Sequence, residues 1–356
     1  MSGVLKVGRG EVGPDRPVYF VADIAANHDG DLDRARSLIR LAAEAGANAA
    51  KFQNFRAGTI VSDFGFKALG GQQSHQSVWK KSVFEVYQDA SLPLEWTTDL
   101  AGACAEVGID YFTAPYDLDL VDVLEPHVCA WKLGSGDITW HDMIERLARG
   151  GKPLFLATGA SGMDEVDLAV NVALRHARTV VLMQCNTNYT GSPDNFRHVA
   201  LNVLKAYARR FPQVVLGLSD HTPGHATALG AVALGARVIE KHFTDDTLRE
   251  GPDHKFSMDP ASWRDMVDRV RELEAALGGE EKRVMDNENE TAILQRRAVR
   301  AVRDIRSGEA LALDMLTVLR PCPAGALPPY RADELLGRRS ARDIPAGDVV
   351  TLSDVL

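Results

Sequence analysis

Residues 214–253 read VVLGLSDHTPGHATALGAVALGARVIEKHFTDDTLREGPD. Two short apolar runs, one over Val214–Leu218 and one beginning at Val238, are too brief for anything but buried strands, and the small-residue segment between them has helical spacing. Each run ends in a polar tripeptide with a histidine: Ser219-Asp220-His221, then Glu240-Lys241-His242. In a strand–helix–strand unit with parallel strands, both C-terminal ends lie at one face of the sheet, so the two imidazoles approach a common point. A lone histidine at a strand end is ordinarily a hydrogen-bonded structural residue. Two at equivalent positions of successive strands, accompanied by Asp220, Glu240, Lys241 and Asp253, predict a shared polar site. Two imidazoles without thiolates suit a borderline or hard divalent ion such as Mn, Fe, Co or Zn, with positions left open for catalysis.

Outward from this unit the same alternation repeats. Strand candidates lie at Val18–Ala22, Ala47–Phe52, Asp110–Phe112, Ala130–Leu133, Leu154–Ala157, Val180–Met183, Val214–Leu218 and Val238–Glu240. Between them, Leu32–Ala45, Leu94–Val107, Asp164–His176, Asn195–Arg210 and Ala226–Ala236 carry apolar residues at three- and four-residue spacing, and Pro260–Leu277 reads as a last helix. Eight such alternations predict an α/β protein with a (β/α)8 barrel; a doubly wound open sheet is the alternative.

A barrel of this kind binds ligands at the C-terminal ends of its strands. Those ends are Asp23, Lys51-Phe52-Gln53, Thr113, Lys132 with Ser135, Thr158, Asn186 to Tyr189, and the two histidine tripeptides, all polar. Lys51 and Lys132 follow Ala-Ala and Ala-Trp inside apolar runs, and no anionic partner is evident from neighbouring sequence. A buried ammonium must find an anion or shift its pKa, which leaves Schiff-base catalysis or a phosphate or carboxylate clamp. The adjacent Ser135, Ser219 and glycine-rich turns (GSG at 134–136, TGASG at 158–162) supply donors that favour the clamp. The long insertion from Asn54 to Leu94, containing GGQQSHQSVWKK, reads as a lid over the site.

The chain has 356 residues, 45% hydrophobic and 25% charged, enough for one large and one small domain. A net charge of −9 with no basic tract argues against nucleic acid as a partner. No apolar run of roughly 18 residues is present to span a membrane, and MSGVLKVGRGEVGPD lacks the apolar core of a signal peptide, so a cytoplasmic location is expected. Cys104, Cys129, Cys185 and Cys322 lack CxxC spacing and read as inert small hydrophobes.

After Gly278 the composition changes. The barrel is expected over 1–279, a charged linker over 280–293 and a small β-rich domain over 294–356. That last part contains an echo, Asp304-Ile305-Arg306-Ser307-Gly308-Glu309 recurring as Asp343-Ile344-Pro345-Ala346-Gly347-Asp348, which predicts two similar turn-plus-strand units about a pseudo-axis. The Pro/Gly-rich LRPCPAGALPPYR between the echoes places Arg320 on a loop.

These segments resemble the N-acetylneuraminate (sialic acid) synthase family over nearly the whole chain: ADIAANHDG (22–30), AKFQ (50–53), TAPY (113–116), KLGSGD (132–137), GKPLFLATG (151–159), CNTNY (185–189), SDHT (219–222), VIEKHFT (238–244) and GPDHK (251–255). The C-terminal part is similar to the antifreeze-like (SAF, β-clip) domain of that family. The resemblance implies a cytoplasmic transferase that condenses phosphoenolpyruvate with an open-chain aldose, giving a 2-keto-3-deoxy sugar acid and phosphate. It implies a divalent metal on His221 and His242, usually manganese, with Mg or Co as alternatives. It implies phosphoenolpyruvate held by Lys51, Lys132, Ser135, Ser219 and Asn188, and Gln53, Asp137, Tyr189 and Asp253 facing the sugar or a metal-bound water. Arg320 matches the arginine that reaches into the partner's barrel, which implies a domain-exchanged homodimer.

Three positions depart from the family pattern. Asp23 stands where the family usually has Glu, in an acid–base or sugar-binding role; Ala114 replaces a Thr and Ala157 a Ser, with Thr113 and Thr158 as neighbouring substitutes on the phosphate side. The acceptor stays open among N-acetylmannosamine, its 6-phosphate, a 2,4-diacetamido hexose and an unacetylated aldose. A Schiff-base barrel aldolase and a non-catalytic sugar-binding homologue are the rival readings.

Overall fold

The computed structural model describes residues 4–70, 76–77 and 79–356. The chain divides into two compact units, Met1–Gly278 and Gly279–Leu356.

The first unit opens with a hairpin of β1 (Leu5–Val7) and β2 (Gly10–Val12). Its strands are three residues each, too short to leave a period in the sequence. Eight strands then close a parallel barrel: β3 (Tyr19–Asp23), β4 (Ala49–Asn54), β5 (Asp110–Pro115), β6 (Trp131–Leu133), β7 (Leu154–Ala157), β8 (Val180–Cys185), β9 (Val215–Asp220) and β10 (Val238–His242). Closure comes from β10 pairing with β3, in a register that sets Val238 opposite Tyr19 and His242 opposite Asp23. Every barrel-strand residue is buried except Gln53, as expected where helices cover one face and packed side chains fill the other. The doubly wound alternative is thereby excluded.

The first barrel helix, Leu32–Glu44, shows how sequence dictates these layers. Asp31 caps it by accepting from the backbone N–H groups of Asp33 and Arg34, and Ala35, Leu38, Ile39 and Ala42 form one buried stripe against the barrel. Truncating Leu38 to Ala there costs about 2–5 kcal/mol. The last helix, Pro260–Leu277, starts on an Asp259 cap with proline in its first turn and stops at Gly278, whose φ of 56° favours glycine.

Six strands run past the ends expected from the sequence, to Asp23, Asn54, Pro115, Cys185, Asp220 and His242. The apolar pattern stops early because the top of the barrel interior is polar, while the backbone ladder continues beneath it. The insertion after β4 forms short helices at Ala57–Ile60, Asp63–Ala68 and Val83–Ala90. Most of the GGQQSHQ segment read as a lid, residues 71–75, lies outside the described residues. Among the described residues no helix is long and apolar enough to cross a membrane.

The second unit has its own core of Val299, Ile305, Leu311, Leu335, Ile344 and Val350, among others. Strands β11 (Ala298–Ala301) and β12 (Leu316–Leu319) pair antiparallel. The echo is visible as reciprocal bonding. Ile305 and Ile344 exchange backbone hydrogen bonds of 2.8 Å each way, Asp343 accepts from the Ser307 N–H at 2.8 Å, and Asp304 accepts from the Ala346 N–H at 2.8 Å. Within the segment read as a linker, a helix begins at Asn289 and runs to Gln295.

Candidate active site

A cavity of about 350 Å³ opens at the C-terminal ends of the barrel strands. Its floor is a buried charge network. Lys51 Nζ donates to Asp23 Oδ2 at 2.6 Å and lies 3.6 Å from Glu240 Oε1; Lys132 Nζ donates to the same Glu240 oxygen at 2.9 Å, and Ser219 Oγ does so at 3.2 Å. Gln53 Nε2 donates to Asp23 Oδ2 at 3.2 Å, and the Ala25 N–H donates to Asp23 Oδ1 at 3.1 Å. Glu240 Oε2 is buried without a hydrogen-bond partner.

This corrects the expectation that Lys51 has no anion of its own, since Asp23 and Glu240 arrive from strands distant in sequence. Burial works against the charge on Lys51, but Asp23 and Glu240 outweigh it and raise its pKa above the usual lysine value. Burial likewise pushes Asp23 up, yet the Lys51 ammonium and His242 hold it below the ordinary carboxylate range. A lysine kept protonated is a poor Schiff-base nucleophile and a good anion holder.

Above the floor stand the histidines, their ring centroids 5.4 Å apart. His221 Nδ1 lies 3.1 Å from the Asn186 carbonyl. A carbonyl only accepts, so this nitrogen carries a proton, and in the neutral ring the lone pair sits on Nε2. His242 Nε2 lies 3.4 Å from Asp23 Oδ2, and its Nδ1 is buried without a partner. Burial drives the His242 pKa down to about 3, so the ring is neutral at physiological pH. Burial also disfavours charge on His221, but the Cys185 thiol and Asp220 reverse this and raise its pKa. Tyr189 and Phe256 pack their rings on the pair, at 4.4 Å from His221 and 4.8 Å from His242. The Ala26 N–H donates to Asp253 Oδ2 at 3.1 Å, and burial raises the Asp253 pKa to about 6. Burial does the same to Asp137, also to about 6.

On the opposite wall Ser135 Oγ accepts from the Gly159 N–H at 2.9 Å, joining the GSG and TGASG turns. A Cβ at Gly159 would sit 1.8 Å from Thr187 Oγ1, so any larger residue there displaces the Thr187 side chain.

The cavity thus gathers Asp23, Lys51, Gln53, Lys132, Ser135, Asp137, Tyr189, Ser219, His221, His242 and Asp253. It does not gather Thr113, Thr158 or Asn188. Thr113 Oγ1 is held by the Phe52 carbonyl and Asn54 Oδ1, Thr158 Oγ1 donates to the Met183 carbonyl, and Asn188 Oδ1 is occupied by Thr190 and Asn195. The two threonine hydroxyls are thus engaged by neighbouring backbone, and the Asn188 oxygen orders its own loop. Arg320 is an exposed residue of the second unit. Tyr116 and Cys185, not singled out in TAPY and CNTNY, also line the wall, and Glu240, expected in the shared polar site, is the hub of the floor. The insertion does supply cavity wall, through residues including Phe55, Trp79 and Tyr87.

Among the described residues no cluster of three or more His, Cys, Asp and Glu side chains forms a ready cage for a metal ion.

Fold and site together define a barrel whose cavity has two carboxylate-paired lysines at its floor and a histidine pair beside them. The chain belongs to the NeuB family, whose model matches residues 38–282 and whose synthases condense phosphoenolpyruvate with sugars. A SAF domain model matches residues 296–356. The N,N'-diacetyllegionaminic acid synthase of Campylobacter jejuni is 32% identical over 94% of this chain and 99% of its own length. The human N-acetylneuraminate-9-phosphate synthase is 32% identical over 95% of this chain and 93% of its own. Among solved structures, spore coat polysaccharide biosynthesis protein SpsE of Bacillus subtilis superposes with a TM-score of 0.65, at 31% identity and 99% coverage of both chains.

Proposed function

We propose that the barrel joins phosphoenolpyruvate to an open-chain aldose, forming a nonulosonic-type 2-keto-3-deoxy sugar acid and releasing phosphate. The observation that carries this reading is the pair of buried, carboxylate-held lysines beneath the histidine pair. Lys51, Lys132, Ser135 and Ser219 bind the carboxylate and phosphate of phosphoenolpyruvate, which take over contacts now made by Asp23 and Glu240. Fixing that substrate leaves its C3 free to bond to the aldehyde carbon while the aldehyde oxygen takes a proton. Water adds at C2, and the C2–O bond to phosphate breaks. Asp137 and Asp253, with pKa values near 6, hold or release a proton close to neutral pH and serve the adding water.

The histidines fit a divalent cation, manganese by preference. The neutral His221 ring carries its lone pair on Nε2, His242 is neutral with an orphaned buried nitrogen, and the raised Asp253 carboxyl would be relieved by a positive neighbour. Such an ion supplies Lewis-acid polarisation of the aldehyde oxygen. The reading extends to a homodimer in which Arg320 serves the partner's barrel, and to a cytoplasmic location. The deciding experiment is phosphate release from phosphoenolpyruvate across a panel of aldoses, with mass spectrometry of the product. Release without a new carbon–carbon bond, or none with any aldose, would refute the reaction.

A further inference from the structure

Asp220 and Lys241 each stand between two residues that line the cavity, yet neither lines it. They lie opposite one another in the β9–β10 register, one position after the pair Ser219 and Glu240. Side chains alternate along a strand, so Ser219, Glu240 and His242 face the cavity while Asp220 and Lys241 face the helix layer outside. There they form a closed knot. Lys241 Nζ donates to Asp220 Oδ2 and to the Thr222 carbonyl, both at 2.5 Å. Asp220 Oδ2 also accepts from Thr222 Oγ1 and from Thr227 Oγ1, in the first turn of the helix Ala226–Ala233, each at 2.7 Å. The lysine and aspartate side chains are 1% and 3% exposed.

Elsewhere this layer is apolar: the residues that follow Lys51 and Lys132 are Phe52 and Leu133, both buried. A buried ion pair loses hydration that its attraction does little more than offset, so well-packed apolar residues would stabilise the position at least as well. What the pair adds is direction. Asp220 precedes His221, Thr222 follows it and Lys241 precedes His242, so one ammonium fixes the chain on both sides of the first histidine and beside the second. Resting on the metal reading above, we propose that Lys241 and Asp220 are positioning residues that set the separation of His221 and His242, and through it the affinity of the pair for the divalent cation.

The test is Mn2+ titration of the full-length protein, followed by the electron paramagnetic resonance signal of the free ion, with a thermal melt of each variant. Lys241→Met and Asp220→Asn change the buried charge in opposite senses. A role through charge alone would tighten Mn2+ binding in Lys241→Met, which leaves an anion behind the histidines, and weaken it in Asp220→Asn. Loss of position weakens it in both, by roughly the 10–100-fold of an outer-shell change. The double variant Lys241→Met/Asp220→Asn leaves no charge in the knot and keeps an acceptor for the two threonines. It should melt near the wild type and still bind Mn2+ about tenfold or more weakly. Wild-type affinity in the double variant, or opposite shifts in the single variants, would overturn the positioning role and leave the metal reading standing. A wild type that binds no Mn2+ would overturn both. Should a single variant fail to fold, the double variant decides.

Discussion

Glu240→Gln isolates the central electrostatic feature of the cavity. Glu240 Oε1 serves Lys132 at 2.9 Å, Ser219 at 3.2 Å and Lys51 at 3.6 Å, and the side chain is 4% exposed. The isosteric amide keeps the shape and removes the charge, leaving two buried ammonium groups to share Asp23. Breaking a buried pair by losing one partner costs about 3–5 kcal/mol. At roughly 2–4 °C per kcal/mol for a domain of 150–250 residues, the melting transition should fall by on the order of 10 °C. If the carboxylate stands where a substrate anion belongs, phosphoenolpyruvate should repair the variant. A ligand at a hundred times its Kd contributes about 2.7 kcal/mol, and the gain should be larger in Glu240→Gln because the ligand no longer competes with an internal anion. Thermal melts with and without phosphoenolpyruvate read this directly. A variant that melts like the wild type, or gains no more from the ligand, would refute the reasoning.

Other consequences can be measured independently. His221→Ala or His242→Ala should weaken Mn2+ binding by more than the roughly 10–100-fold typical of an outer-shell change, while circular dichroism stays near wild type; unaltered Mn2+ titration would remove the metal assignment. Asp137, with its pKa raised to about 6, binds its proton more tightly folded than unfolded, so its contribution to stability is greatest at acid pH and declines from about pH 4 to about pH 6. Asp137→Asn should flatten that part of the stability–pH curve, and a curve superimposable on wild type would contradict the burial argument. Mixing inactive His221→Ala with inactive Arg320→Ala subunits should restore part of the activity if Arg320 acts in trans; no recovery in demonstrated heterodimers would exclude it.

The barrel was legible because parallel strands covered on both faces write continuous apolar runs, and their polar ends mark the cavity. Strand lengths were less legible, because Lys51, Gln53, Glu240 and His242 are strand residues whose polarity reflects the cavity they face. What sequence could not show was pairing at a distance. Lys132 and Glu240 lie far apart in the chain yet share a hydrogen bond, and only the closed ring joins them. Nor could it separate hydroxyls aimed into the cavity from those of Thr113 and Thr158, which are taken up by neighbouring backbone carbonyls. The hairpin of β1 and β2 was missed because six residues in two pieces carry no period. The echo in the second unit was recognisable because Asp304 and Asp343 perform one task twice, each bonding the other's turn.

His242 stands opposite Asp23 across the seam where the last strand of the ring meets the first. A chain emerging from the ribosome therefore carries one member of this pair from the outset and waits for the other until nearly the whole barrel has been made. No partly assembled arc can bring the two together, and contacts between such distant positions are slow to form. A slip anywhere that keeps the ring open thus leaves a protein with every cavity residue present and the cavity unformed.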